Sequence, residues 1–166
     1  MRSRRPLVRR NIAFALSFLF AMACADSATT DPIPPAGAVP STPATDVFAA
    51  KLGVNIAQMT RKSDALFIQD LVVGTGAEAT TGKTVNMRYT GWFTNGTQFD
   101  SNVGGSPFSV QLGAGRVIAG WDQGIVGMKV GGKRRLVIGS PLAYGTTGFL
   151  DIPPNVTLVF DVELVG

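Results

Sequence analysis

The sequence predicts an α+β domain over residues 63–166, with about five antiparallel strands wrapped on one short α-helix. Three observations carry that expectation. Apolar residues alternate with polar ones at period two in several separate runs, and Asn95-Gly96 stands between two of those runs as a hairpin signal. Only Ile118 to Met128 leaves room for a helix.

Taken in order, Leu66-Phe67-Ile68-Gln69-Asp70-Leu71-Val72-Val73 is a strand run closed by Gly74-Thr75-Gly76. Thr84 to Phe93 and Thr97 to Phe99 flank the hairpin signal, and Pro107 to Leu112 points Phe108, Val110 and Leu112 inward. The helix is limited in length by Gly120, Gly124 and Gly127. Lys133 to Ile138 alternates again, and its Lys133-Arg134-Arg135 is expected to face solvent rather than a phosphate. In Val156 to Val165, Leu158, Phe160, Val162 and Leu164 fall on one face, with Thr157, Asp161 and Glu163 on the other.

The first ten residues contain Arg2, Arg4, Arg5, Arg9 and Arg10, ahead of an uncharged run from Asn11 to Ala23. A basic stretch followed by an apolar one is the pattern of an export signal, expected at 1–23. The apolar run is short of the roughly 20 residues that span a bilayer. Ala21-Met22-Ala23 satisfies the small-x-small rule of ordinary cleavage, and Ala23 before Cys24 also resembles a bacterial lipoprotein box, with Ala21 where leucine is usual. Both readings cut before Cys24. A lone cysteine at a mature N-terminus has no disulfide partner, which favours lipidation of Cys24 and a membrane anchor facing the periplasm or cell exterior. The alternative is a soluble exported protein with an incidental thiol. Asn11-Ile12-Ala13 after Arg9-Arg10 fits a twin-arginine signal poorly. Residues 24–45 carry Pro32, Pro34, Pro35, Pro40 and Pro43 and read as a disordered or extended tether. Residues 46–62 read as a connecting segment, with some helical potential from Val47, Phe48 and Leu52 that Gly53 interrupts.

The formal charge of +4 rests on the leader: without its five arginines the chain is at −1, so nucleic acid is not an expected partner. Two nucleotide-site lookalikes fail on context. Gly74-Thr75-Gly76-Ala77-Glu78-Ala79 and Gly82-Lys83-Thr84 both require a helix next, and the strand sequence Val85-Asn86-Met87-Arg88-Tyr89-Thr90 follows instead. With no histidine and one cysteine, nucleophilic, acid/base and metal chemistries are poorly supplied. An apolar pocket for an extended peptide is well supplied by recurrent aromatics.

Those aromatics sit in a recognisable series. Tyr89-Thr90-Gly91, Asn95-Gly96-x-x-Phe99-Asp100-Ser101, Pro107-Phe108, Leu112-Gly113, Val117-Ile118-x-Gly120-Trp121-x-x-Gly124, Ala143-Tyr144-Gly145, Ile152-Pro153-Pro154 and Leu158 to Leu164 together resemble the FKBP-type peptidyl-prolyl cis-trans isomerases, over roughly residues 63 to 166. The resemblance implies a half-open, curved antiparallel sheet whose concave face holds the helix, with the pocket between them. It implies catalytic roles for Tyr89, Phe99, Asp100, Trp121 and Tyr144, with Trp121 as the floor under a bound proline ring. Phe108, Val117, Ile118, Ile152 and Phe160 are implied as substrate-binding, and Asp100, the Ile118 N–H and the Tyr144 hydroxyl as the polar contacts that hold substrate or inhibitor carbonyls. Phe149 stands where histidine is common in eukaryotic members; it reads equally as an added pocket wall or as a loop aromatic packed on its own backbone. Two departures stand out. The segment from Asp100 to Pro107 is one residue short, with Gly104-Gly105 where an arginine often partners the aspartate, and the loop from Gly145 to Asp151 is also one residue short.

What the resemblance implies fits what the chain lacks. Rotation about X–Pro breaks no bond and needs no cofactor, metal or nucleophile, only relief of a barrier of about 18–20 kcal/mol. The expected partners are proline-containing polypeptide clients, with rapamycin-type macrolides as possible pocket ligands. A non-catalytic peptide-binding module or holdase on the same fold is the competing expectation.

Overall fold

The computed structural model describes residues 40–166. The expected export signal and Cys24 lie outside the described residues, as does most of the expected tether. The elements run β1 (Thr60–Ser63), β2 (Leu66–Val72), β3 (Thr84–Phe93), β4 (Gln98–Ser101), β5 (Phe108–Gln111), α1 (Ala119–Gly124), β6 (Lys133–Ile138) and β7 (Leu158–Leu164). All strand pairings are antiparallel, in the order β1-β2-β6-β7-β3-β4, with β5 also on β3. β3 holds the sheet together: β7 pairs along one edge, while β5 takes Thr84 to Met87 and β4 takes Thr90 to Trp92 on the other. This is the α+β fold the sequence predicts, with seven strands rather than about five.

The hairpin from β3 to β4 turns at Asn95-Gly96. Gly96 N–H donates to the Phe93 carbonyl at 2.8 Å and Gly96 takes a left-handed φ of 78°, which a side chain would resist. α1 is short because two of its glycines serve contact instead of helix propensity. A Cβ on Gly124 would come within 2.8 Å of Leu136 Cδ2, and one on Gly120 would collide with Ile138, so both glycines let the helix lie directly on β6.

Cross-strand register sorts the side chains into rows. Ile68, Leu136, Phe160 and Gly91 are successive partners across β2, β6, β7 and β3 and belong to the face that meets α1. The neighbouring row of Phe67, Val137, Val159 and Trp92 belongs to the opposite face. That second face is also buried. Leu52 and Met59, with Phe48, Val54 and Ile56, pack over it from a strap that includes two 3-10 turns, Ala50–Leu52 and Ile56–Gln58.

Three expectations are corrected here. Residues 46–62 are more than a connector, since they cover the convex face and supply β1. The docked region reaches back into the expected tether: Pro43 is buried against Gly139, and the Ser41 and Thr157 hydroxyls are 2.9 Å apart. Apolar cover lost from Phe67, Val137 and Val159 would cost more than ordering the strap, which is the physical reason it docks. Thr157, on the face opposite Leu158 as expected, is buried under the same cover.

The third correction concerns the cationic run. Arg134 is 6% exposed and forks onto Asp70, with Nε–Oδ1 at 2.6 Å and Nη2–Oδ2 at 3.1 Å. Its Nη1 donates to the carbonyls of Gly124 at 2.8 Å and Val126 at 3.2 Å, tying β6 to the end of α1. Arg135 forks onto Asp161 at 2.7 and 2.9 Å and donates to the Leu52 carbonyl, pinning the strap. Both guanidiniums are structural. Among the described residues no helix is long and apolar enough to cross a membrane.

Candidate functional site

A cleft of about 370 Å³ opens between the concave face of the sheet, the start of α1 and the connection from β6 to β7. β3 supplies Tyr89, β4 supplies Phe99 and Asp100, β5 supplies Phe108, and β7 supplies Phe160. Val117 and Ile118 line it just ahead of α1, and Trp121 lines it from within the helix. Tyr144, Phe149 and Ile152 close it from the β6–β7 connection. Every catalytic and substrate-binding residue implied by the resemblance thus borders one cavity, while Cys24 lies outside the described residues. Arg116, Leu150 and Asp151 border it as well and were not anticipated. Each stands next to one residue named from sequence, Val117, Phe149 or Ile152, and carries no pattern beyond that adjacency.

Edge-to-face contacts fix the aromatic lining. Trp121, 5% exposed, packs at 4.9 Å and 78° against Tyr89 and at 5.2 Å and 84° against Phe160. Phe99 meets Phe160 at 5.5 Å and 88°. Such pairs add about 0.5–1.5 kcal/mol each beyond burial and restrict each ring to one orientation. Gly91 makes room for them: a Cβ there would lie 2.7 Å from Phe99 Cζ and 2.8 Å from Phe160 Cε1.

Few polar groups face this lining. The Tyr89 hydroxyl donates to Asp100 Oδ2 at 2.6 Å. Burial, and then the bonded and charged Asp100, push the Tyr89 hydroxyl well above its ordinary 10.0, so it stays a donor. The Tyr144 hydroxyl is also pushed up, by burial first and the Asp100 charge second, and it has no hydrogen-bond partner among the described residues. The N–H of Ile118, at the N-terminal cap of α1, donates to no carbonyl there either. Apart from Arg116 and Asp151, the cleft therefore offers one oriented carboxylate and two donors unclaimed among the described residues, in an apolar frame. The Trp121 Nε1 is buried without a partner among the described residues.

The two shortened loops are held from within. Asn102 Oδ1 accepts from the Tyr89 N–H at 2.7 Å, and its Nδ2 donates to the carbonyls of Met87 at 3.0 Å and Ser106 at 3.3 Å. This clamp, together with Tyr89, secures the Asp100 loop at Gly104-Gly105 without an arginine. In the other loop, Phe149 and Ile152 exchange backbone hydrogen bonds at 2.9 and 2.8 Å across a tight turn. Leu150 sits at that turn with a φ of 49°, unusual for a branched residue, and is 88% exposed. Phe149 lines the cleft, as the pocket-wall reading expects, and its outer contact is a stack on the Tyr144 ring at 5.3 Å and 11° rather than packing on its own backbone.

Comparison with known proteins agrees with this geometry. The family model for FKBP-type peptidyl-prolyl cis-trans isomerase matches residues 76–165, more than half of the chain. The FK506-binding protein of Neisseria meningitidis serogroup A is 50% identical over 103 residues, covering 61% of this chain and 94% of the relative. FK506-binding protein 4 of Rhizopus delemar is 54% identical over 110 residues, covering 66% of this chain but 29% of that protein. The chain thus spans under a third of the fungal relatives it matches. The crystal structure of AtFKBP13 has a TM-score of 0.61 at 39% identity, covering 66% of this chain and 98% of that one. FkpA from Escherichia coli has a TM-score of 0.62, also at 39% identity, covering 70% of this chain and 54% of that one. The chain belongs to the FKBP-type peptidyl-prolyl cis-trans isomerase family.

Proposed function

We propose that this protein accelerates cis-trans rotation of X–Pro bonds in unfolded or extended polypeptide segments outside the cytoplasm. The observation that carries the reading is the cleft: an aromatic frame over buried Trp121, with the Ile118 N–H and Tyr144 hydroxyl unclaimed. A proline ring fits over the indole. The planar amide owes its stiffness to charge-separated resonance, which water favours and an apolar frame does not. The Ile118 and Tyr144 donors hold flanking carbonyls while the bond turns, and Asp100, oriented by Tyr89, offers a fixed negative field to the twisted amide. Binding the twisted form better than either planar form is what lowers the barrier, each 1.4 kcal/mol or so giving about tenfold in rate. No proton need move.

The test is the cis-to-trans rate of a short X–Pro peptide with residues 40–166, beside folded Asp100→Ala and Trp121→Ala variants. Acceleration that drops in both variants supports the reading. Folded wild type without acceleration overturns it and favours the competing reading of a non-catalytic peptide-binding module or holdase. That second reading draws on the exposed apolar rim of Phe149 and Leu150, which suits extended chains. Because several relatives are named FK506-binding proteins, macrolides of the FK506 and rapamycin type are proposed ligands of the same cleft.

Export and lipid anchoring at Cys24 are proposed from the leader sequence alone. Intact mass of the membrane-extracted protein decides between the two forms of export: an acylated Cys24 supports anchoring, and an unmodified Cys24 at the mature N-terminus rejects it.

A further inference from the structure

We propose that Arg116 makes the cleft selective for clients with an acidic side chain next to the proline, an inference that rests on the X–Pro reading above. Arg116 is the one cation among the described residues lining the cleft. It is exposed, and among those residues it has neither an ion pair nor a side-chain hydrogen bond. Arg134 and Arg135 show the contrast, since each is claimed by a carboxylate in a forked pair.

Two nearby carboxylates are already engaged. Asp100 is engaged by the Tyr89 hydroxyl at 2.6 Å. Asp122 accepts from the Gly113 N–H at 2.9 Å and the Gly115 N–H at 3.1 Å, so it staples the turn that delivers Arg116. The backbone ahead of Arg116 is therefore fixed, and the two residues after it enter the cleft wall. An extended client bonded to the Ile118 N–H runs beside this segment. A guanidinium there presents a planar fork suited to a carboxylate, with apolar walls that raise the worth of the pair once water is displaced.

Asp151 is the remaining carboxylate on the cleft, and it too has no ion partner among the described residues. With both signs on one rim, selectivity follows where the client's charge sits rather than its net charge.

The experiment uses the full chain with X–Pro peptides bearing Glu, Ala or Lys immediately before or after proline. Rates and calorimetric affinities are measured for wild type, Arg116→Ala and Arg116→Glu. At low salt the Glu peptide should exceed the Lys peptide by about fivefold at one of the two positions, and the ratio should shrink as salt screens the pair. It should fall toward unity in Arg116→Ala and invert in Arg116→Glu. An equal ratio in wild type and Arg116→Glu, or no discrimination in wild type, overturns the inference. The paired readouts separate the two levels of the argument. Acceleration of all peptides without charge discrimination removes the role of Arg116 alone, whereas Arg116-dependent affinity without acceleration removes the isomerase reading and keeps this one.

Discussion

Tyr89 on β3 and Asp100 on β4 come from adjacent strands, and the hydroxyl of the first donates to the carboxylate of the second at 2.6 Å. In the register of that pair of strands, Asp100 lies opposite Gly91, the residue that lets Phe99 and Phe160 close over the sheet. Orientation of the carboxylate and shape of the aromatic floor are thus set by neighbouring positions of one hairpin. Tyr89→Phe keeps the ring packed on Trp121 and removes only the hydrogen bond. Its kcat/KM on an X–Pro peptide should fall about tenfold, the worth of roughly 1.4 kcal/mol in the twisted state, with thermal stability little changed. An unchanged kcat/KM would remove Asp100 orientation from the mechanism.

The same pair predicts an alkaline signature. The folded protein holds the Tyr89 proton more tightly than the unfolded chain, where tyrosine titrates near 10.0. Above that pH the folded state binds more protons than the unfolded one, so stability declines as pH rises, while below it this residue contributes no slope. Thermal midpoints of wild type should fall more steeply above pH 10 than those of Tyr89→Phe, with Tyr144 supplying a smaller slope in both. Equal slopes would contradict the assignment.

Gly91→Ala should damage the floor without touching any polar group. The added methyl meets Phe99 and Phe160 at under 3 Å, and both rings are already locked by edge-to-face neighbours. Overpacking of this kind costs about 1–3 kcal/mol. Urea denaturation should show that loss, and peptide affinity should drop with it because the rings can yield only into the cleft.

Arg134→Met tests the link between helix and sheet. Removing the guanidinium strands the carbonyls of Gly124 and Val126, at about 1–3 kcal/mol for a buried group left unsatisfied. Asp70 is partly exposed and recovers water, so its share is smaller. Stability should fall by about 2–3 kcal/mol, against less than 0.5 for Lys62→Ala on the surface. Similar losses for the two variants would show that Arg134 does not anchor the helix.

Asp46 offers a stabilising change. Burial pushes its carboxyl above the ordinary 3.8, partly offset by a hydrogen bond with Thr157, and Oδ2 has no partner among the described residues. Its folded form prefers the proton, so its contribution is fully present at acid pH and lost as pH rises through the folded value. Asp46→Asn should therefore raise the thermal midpoint at neutral pH, and the gain should vanish at acid pH. A midpoint lowered at neutral pH would mean that the charge is needed.

Much of this was legible before any coordinates. β5, β6 and β7 announce themselves by period-two alternation, β2 by a continuous apolar run closed by glycines, and β3 and β4 by the Asn95-Gly96 signal that they flank. The cleft residues followed from motifs whose order matches a family. β1 is invisible in the sequence because Thr60-Arg61-Lys62-Ser63 contains no apolar residue to alternate; it pairs antiparallel with β2 as a mostly exposed edge strand. The strap was missed for a different reason. Phe48, Leu52, Val54, Ile56 and Met59 have no regular period, since 3-10 turns and extended links bring them to one surface. Arg134 and Arg135 were misplaced because a cation in an alternating strand looks solvent-facing until its carboxylate partner, distant in sequence, is seen across the sheet. Arg116 was passed over since a charge beside an apolar motif carries no pattern of its own.

The docked strap has a mechanical consequence. The chain enters the fold through Ser41 at Thr157 and Pro43 at Gly139, then crosses the convex face before reaching β1 and β2. A pull applied ahead of Pro40 would load those attachments and the Arg135–Leu52 bond first. The strap would peel before the β3–β7 and β6–β7 ladders felt tension, leaving the strands that carry Tyr89 and Phe160 unstretched while the molecule lengthened.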